Sequence, residues 1–189
     1  MAKEMQVVKI VKTTDGCMRH ESDGRAAVFS ECGTYRYLLE RRIRTRLALY
    51  ARRVVFVMLN PSTATAEADD PTVRRCVRFA ELWDYDRMHI VNFFGYRSPS
   101  PSALKEAQVC PVGPLNAQYL VWESATAETV ICAWGNHGAK AAEFWLPRWQ
   151  TFAGRLHHLG LTARGQPKHP MARGRHRIPD DVVPQRMKL

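Results

Sequence analysis

No apolar run in this 189-residue chain approaches the roughly 20 residues that a helix needs to cross a bilayer. The polar start, Met1-Ala2-Lys3-Glu4, lacks the apolar stretch of a signal peptide, so a cytoplasmic protein with no membrane association is expected. Cysteine is sparse: Cys17, Cys32, Cys76, Cys110 and Cys132 lie far apart, odd in number and without a C-x-x-C pair. Reduced thiols fit that pattern better than a disulfide framework or a zinc knuckle. The G-x-x-x-x-G-K-[ST] loop of nucleotide binders and the G-x-S-x-G elbow of acyl-transfer enzymes are both missing. A metal motif is missing too, since the adjacent His157 and His158 would point to opposite faces of a strand. There is no internal repeat and no low-complexity segment, and neither cofactor nor metal is implied.

Negative charge is also short, with 18 Asp and Glu against 28 Lys and Arg, a net charge of +10. The excess is clustered. Arg41, Arg42, Arg44, Arg46, Arg52 and Arg53 crowd one region, and Lys168, Arg173, Arg175 and Arg177 another. Arginine suits bidentate phosphate contacts, so a nucleic-acid partner is favoured over a merely basic surface.

What is plentiful is apolar residue, at 46%, enough for one substantial core and a single domain over 1–189. Residues 1–50 read as a β-rich cover. Strand-like composition at Gln6 to Val11, Ala26 to Ser30 and Tyr35 to Leu39 is separated there by turns such as Asp15-Gly16 and Asp23-Gly24. Residues 51–164 then alternate strand and helix. Val54 to Leu59, Met88 to Phe93, Thr129 to Trp134 and Leu156 to Thr162 read as buried strands. Residues 71–83, Leu115 to Ala127 and Gly138 to Phe152 read as helices, with Asp69-Asp70-Pro71 suited to start the first. Pro99, Pro101, Pro111 and Pro114 mark a long connection, either a lid or a surface loop. The basic, proline-containing segment 165–189 should wrap the surface. This pattern predicts a three-layer α/β/α sandwich with a mainly parallel central sheet, and a monomer is expected.

In such sheets ligands bind at the carboxyl ends of the strands. That rule gathers Asn60-Pro61-Ser62, Asn92 to Arg97, Trp134-Gly135-Asn136-His137 and His169-Pro170-Met171 at one edge, with His137 read as a helix-start residue. Asp69 and Asp70 either cap the following helix or supply an acid. With a metal ion they would instead suit a phosphodiesterase.

Several segments resemble a bacterial and phage family known only as a domain of unknown function. They are Phe29 to Leu38, Met58-Leu59-Asn60-Pro61-Ser62-Thr63-Ala64, Asp69-Asp70-Pro71-Thr72, Val91-Asn92-Phe93-Phe94, Pro111-Val112-Gly113-Pro114, Ala133-Trp134-Gly135 and Gly165-Gln166-Pro167-Lys168-His169-Pro170. That resemblance supplies no activity. More distantly, Leu59-Asn60-Pro61-Ser62 is similar to the first motif of the uracil-DNA glycosylase superfamily, and His169-Pro170-Met171-Ala172-Arg173-Gly174 to its second. Val91 to Arg97 is similar to the Asn-containing strand end of the family's thermophilic branch, and Val130 to Gly135 to its later buried strand and glycine. Ser62 stands where the mismatch-specific pattern has glycine, and Met171-Ala172 where the second motif has serine-proline. Either the pocket takes a different base, or the likeness is one of fold.

The resemblance implies a uracil-DNA-glycosylase-like fold and cleavage of the N-glycosidic bond of a uracil, damaged or modified base, the last including phage DNA, in repair or phage defence. The base would be flipped out of single- or double-stranded DNA. His169 would donate to the leaving base and Asn60 would position water. Ser62 and Asn92 would contact the base, and Phe93, Phe94 or Tyr96 would stack on it. Arg97, Lys168, Met171, Arg173 and Arg175 would meet the DNA. A nucleic-acid-binding module without chemistry would use the same basic surface but would not need Asn60 or His169.

Overall fold

A computed structural model describes residues 7–46, 51–100 and 102–188. The polar start Met1 to Glu4, the strand residue Gln6 and the connection's Pro101 lie outside the described residues. Among the described residues nine strands form one sheet: β1 Lys9–Lys12, β2 Met18–Ser22, β3 Arg25–Phe29, β4 Arg36–Arg42, β5 Arg53–Met58, β6 Arg87–Asn92, β7 Thr129–Cys132, β8 Leu156–His158 and β9 Gln185–Arg186. Their spatial order is β1-β2-β3-β4-β6-β5-β7-β8-β9. The α-helices are α1 Pro71–Leu82, α2 Ala103–Glu106, α3 Asn116–Thr126 and α4 Ala139–Trp145. Among the described residues no helix is long and apolar enough to cross a membrane.

The expectation of a mainly parallel sheet is corrected. Parallel pairing joins β6 to β5, β5 to β7 and β7 to β8, while the other five pairings are antiparallel. The N-terminal strands are not a cover laid on the core. They extend its sheet sideways, because β4 hydrogen-bonds directly to β6 with Leu39 opposite Ile90. Short turns at Asp15-Gly16 and Asp23-Gly24 make hairpins, and hairpins place consecutive strands side by side.

The parallel part is built as its composition demands. Val54 to Val57 have no exposed surface, and a strand covered on both faces carries a continuous apolar run. Val54, Phe56 and Met58 pack with Val73, Cys76 and Phe79 of α1, while Val55 and Val57 pack with Leu120, Trp134, Trp149 and Phe152. α1 starts where Asp70 Oδ1 accepts the Val73 N–H at 2.9 Å and Pro71 occupies the first turn. The helix expected over 138–152 stops at Trp145 and continues as 3₁₀ turns over Leu146–Arg155, with Trp149 and Phe152 out of helical geometry. Pro147 cannot donate within a helix, and burial of Trp149 and Phe152 sets the path instead. β8 ends at His158, short of the expected Thr162, because Gly160 at φ +105° turns the chain.

The connection through residues 59–70 has no secondary structure of its own, and arginines from the antiparallel flank hold it down. Arg36 donates to Ala64 O (2.7 Å), Arg41 to Thr65 O (2.6 Å) and Arg25 to Glu67 O (3.0 Å). Arg41 also grips Asp69 through Nε (2.8 Å) and NH2 (2.6 Å), with Arg25 adding a contact at 3.3 Å. The Arg41 side chain is 3% exposed and that of Asp69 12%. Removing one partner of so enclosed a pair should cost about 3–5 kcal/mol, whereas removing an N-cap costs about 1 kcal/mol. Urea unfolding should therefore show Arg41→Ala far more destabilised than Asp70→Ala. Equal losses would refute the clasp.

Candidate functional site

The chain leaves β5 toward β6 on one side, then returns past β5 to β7 on the other. The carboxyl ends of β5 and β7 therefore flank the switch point of the sheet, where α/β sheets place their ligands. Asn60 stands just after β5 on one side of it. Gly135 follows β7 on the other, at φ +65° and ψ −171°, a region essentially reserved for glycine. Its N–H donates to Pro167 O at 2.9 Å, which ties the His169 segment to this edge. A Cβ on Gly135 would lie 4.0 Å from that of His169.

Asn60 is half-buried, and its amide orientation follows from its neighbours. Nδ2 donates to Ser98 O at 2.8 Å and to Pro61 O at 3.1 Å. Both partners are carbonyl oxygens, so only the NH₂ can face them, and Oδ1 is left as an acceptor. His169 shows the opposite polarity. Its Nδ1 accepts the Met171 N–H at 3.2 Å, so in the neutral ring Nε2 carries the proton and donates. Burial pushes the imidazole below its ordinary value of 6.5 against the opposing field of the Asp70 carboxylate, which keeps the ring neutral near pH 7.

The other expected residues fare differently. Asn92 is 2% exposed, and its Nδ2 has no hydrogen-bond partner among the described residues. Asn116, a residue the sequence did not single out, donates to Asn92 O and Phe93 O, both at 3.0 Å. Phe93 is core rather than a stacking platform: it is 1% exposed, with its ring 4.8 Å from Trp134 and 6.1 Å from Trp149. Phe94 and Tyr96 are half-buried, Tyr96 lying edge-on to Tyr35. Ser62 is half-buried at the turn after Asn60. Asp69 is committed to Arg25 and Arg41, and Asp70 Oδ1 to the helix cap, so the pair is not disposed to share a metal ion. The long connection after β6 is pinned where Gly95 and Tyr96 donate to Val112 O and Pro111 O, both at 3.0 Å.

The two basic groups separate. The first is ion-paired within the fold, though Arg42, Arg44, Arg46 and Arg52 stay 37–51% exposed, and it sits at the opposite, amino-terminal edge of β5. Arg44 pairs with Asp84, Arg46 with Asp84 and Asp86, Arg52 with Glu128, and Arg53 with Glu123. Arg42 is within 3.6 Å of Asp23, and Arg41 serves the loop. Each of these cations therefore faces a carboxylate that a phosphate would have to displace. The second group borders His169. Arg173 and Arg175 are exposed and Lys168 half-buried, none with an ion pair among the described residues, while Arg177 lies 4.0 Å from Asp180. Arg97 belongs to neither group: it donates to Gly33 O at 3.1 Å and lies over the Phe29 ring. A concavity of about 410 Å³ on the antiparallel flank is lined by charges that answer one another, Arg19 gripping Glu40 at 2.6 and 2.8 Å.

The candidate site is thus a polar sheet edge at the switch point, with an acceptor just after β5 and a histidine donor on the segment tied to the end of β7. The chain belongs to the family described as "Protein of unknown function (DUF1643)", whose model matches residues 36–171 and so spans Asn60, Gly135 and His169. No curated protein and no solved structure matches it.

Burial also pushes the His158 imidazole down. Because the unfolded chain then protonates first, stability is fully present above about pH 6.5 and is lost as pH falls through the lowered native values. Melting temperature should fall as pH drops below about 6.5, and His169→Gln should flatten part of that fall. An unchanged slope in this variant would contradict the assignment.

Proposed function

We propose that this protein is a DNA glycosylase-like hydrolase that releases a uracil, damaged or modified base flipped out of DNA, without a cofactor. The observation that carries the reading is the pair of fixed, opposite polarities: Asn60 Oδ1 as an acceptor and His169 Nε2–H as a donor on one sheet edge. When the N-glycosidic bond breaks, its electron pair leaves with the base, and charge grows on the base carbonyl. A preorganised neutral donor stabilises that charge, which is the role given to His169. The sugar cation left behind takes up a water oriented by Asn60 Oδ1. An amide is a poor base, so the released proton passes to solvent or to Asp70, whose Oδ2 makes no hydrogen bond among the described residues, and turnover is slow.

The orphaned Asn92 Nδ2 supplies a donor for a base edge, with Ser62 as a second base contact and Phe94 or Tyr96 as the stacking surface. Lys168, Met171, Arg173 and Arg175 take the DNA. The three-layer, uracil-DNA-glycosylase-like architecture is part of the same proposal, supported by the apolar clusters on both faces of β5. So is action by a cytoplasmic monomer.

His169→Ala should lower single-turnover base release by about 10²–10³ while DNA affinity is nearly kept, the scale for losing one preorganised donor. Asn60→Ala should do likewise. Free base is scored by chromatography and abasic sites by alkali-dependent breakage, across uracil, mismatched and modified-base DNA. Absence of base release from every substrate, with binding intact, would leave a nucleic-acid-binding module, which the exposed Arg173 and Arg175 also suit.

With the first arginine group already paired, about three cations remain for phosphates, namely Lys168, Arg173 and Arg175. Log K against log salt should then slope near about −2.7 on duplex DNA. Arg173→Ala with Arg175→Ala should bring it to about −0.9. A flat titration of the wild type would remove nucleic acid from the reading.

A further inference from the structure

Arg36 is 3% exposed, yet it makes no ion pair among the described residues. Its one side-chain hydrogen bond goes to Ala64 O, and its Nε is buried without a partner. Holding the loop uses one of the five N–H donors of a guanidinium, so that role does not account for a charge at this position. Arg97 repeats the pattern: its NH1 is used, and its Nε is buried and unpartnered.

The two arginines are neighbours by register. Arg36 N–H donates to Gly95 O at 2.9 Å, Arg97 N–H to Thr34 O at 3.2 Å, and Tyr35 bridges Tyr96 antiparallel between them. Arg36 and Arg97 are therefore diagonal cross-strand partners on the same face, an arrangement that like charges disfavour. Arg97 lies over Phe29, and Arg36 reaches Ala64, both residues of the α1-side cluster. Burial and the positive fields of Arg97 and Arg41 hold the Arg36 guanidinium down to about 10, with Asp70 opposing. Asp69 is occupied by Arg25 and Arg41. Of the acids near Arg97, Glu31 is paired with Lys12 and Glu67 stands on the rim.

A buried cation and a half-buried one side by side, each with a buried, idle Nε–H, call for a shared acceptor of negative charge. We infer that Arg36 and Arg97 form a binding site for a phosphate group, which enters under the 59–70 loop beside the concavity of about 320 Å³ that Arg97 lines with Ser30, Gly33 and Thr65. Planar guanidinium forks suit a tetrahedral oxyanion. The phosphate comes either from a free nucleotide monoester or from a nucleic-acid backbone, and its binding does not depend on base release.

The full-length protein is melted against increasing sodium phosphate, with sodium chloride at matched ionic strength as the control. The wild type should gain a saturable rise in melting temperature from phosphate alone. Arg36→Met and Arg97→Met should each weaken the apparent phosphate affinity by about tenfold or more. Arg36→Met removes a buried charge for an apolar chain of similar volume, which folded proteins tolerate. Should it fail to fold, Arg97→Met and Arg36→Lys, which keeps the charge but not the fork, give the same reading. Titration with dTMP against thymidine, and displacement of phosphate by an undamaged duplex oligonucleotide, tell monoester from backbone. A wild type that responds to phosphate no more than to chloride, or folded variants that respond as it does, would overturn the site.

Discussion

The grip of Arg25, Arg36 and Arg41 on the 59–70 loop is the contact on which the rest of the molecule turns. The loop must leave a fully buried strand, present Asn60 at the switch point and deliver Asp70 to the start of α1, with no ladder of its own to order it. Carbonyls at Ala64, Thr65 and Glu67 supply the acceptors, and Asp69 supplies the charge. A lysine could answer one of these at a time, whereas a guanidinium answers several in a fixed plane, as Arg41 does with Asp69, Thr65 and Glu40. The antiparallel strands therefore do more than widen a sheet. They carry the arginines that hold the loop following Asn60.

Much of the core was legible because burial writes itself into composition. β5 and β6 fall within a residue of the spans expected from their apolar runs, and α1 within a residue of its helical spacing. β2 was not, since Met18-Arg19-His20-Glu21-Ser22 is polar on a half-covered face and offers no apolar run. Nor was the join between β4 and β6, because pairing across dozens of residues leaves no local trace. Gln185 and Arg186 form a strand that the tail's composition hides altogether.

At the site, placement on a strand end could be read, but hydrogen bonding could not. The polarity of Asn60 depends on Ser98 O and that of His169 on the Met171 N–H, contacts set by the path of the chain. Phe93 illustrates strand parity: with Val91 it faces the cluster of Trp134 and Trp149, while Ile90 and Met88 face α1. The pairing of the arginine run 41–53 was hidden for a related reason. Its partners Asp84, Asp86, Glu123 and Glu128 come from distant segments, so adjacency in sequence read as a surface what the fold makes a lattice of pairs. Arg36 left one faint mark, a charge inside the otherwise apolar and aromatic stretch Tyr35 to Leu39.

The two-residue strand β9 gives the sheet a boundary. Without it, Leu156-His157-His158 would present an open row of peptide groups to any other chain, and exposed parallel edges recruit copies of themselves. β9 closes that row, with Met187 N–H reaching Leu156 O at 2.8 Å, while Lys9 and Lys12 bracket the opposite edge at β1. The same tail buries Ile178 in the core and takes the Trp83 indole N–H on Val182 O. A polypeptide ending at Met171, where the family match stops, would retain Asn60 and His169 yet carry an unsealed flank. It would also lose Ile178 from the core and the Val182 acceptor of Trp83, so an open edge and weaker packing would go together.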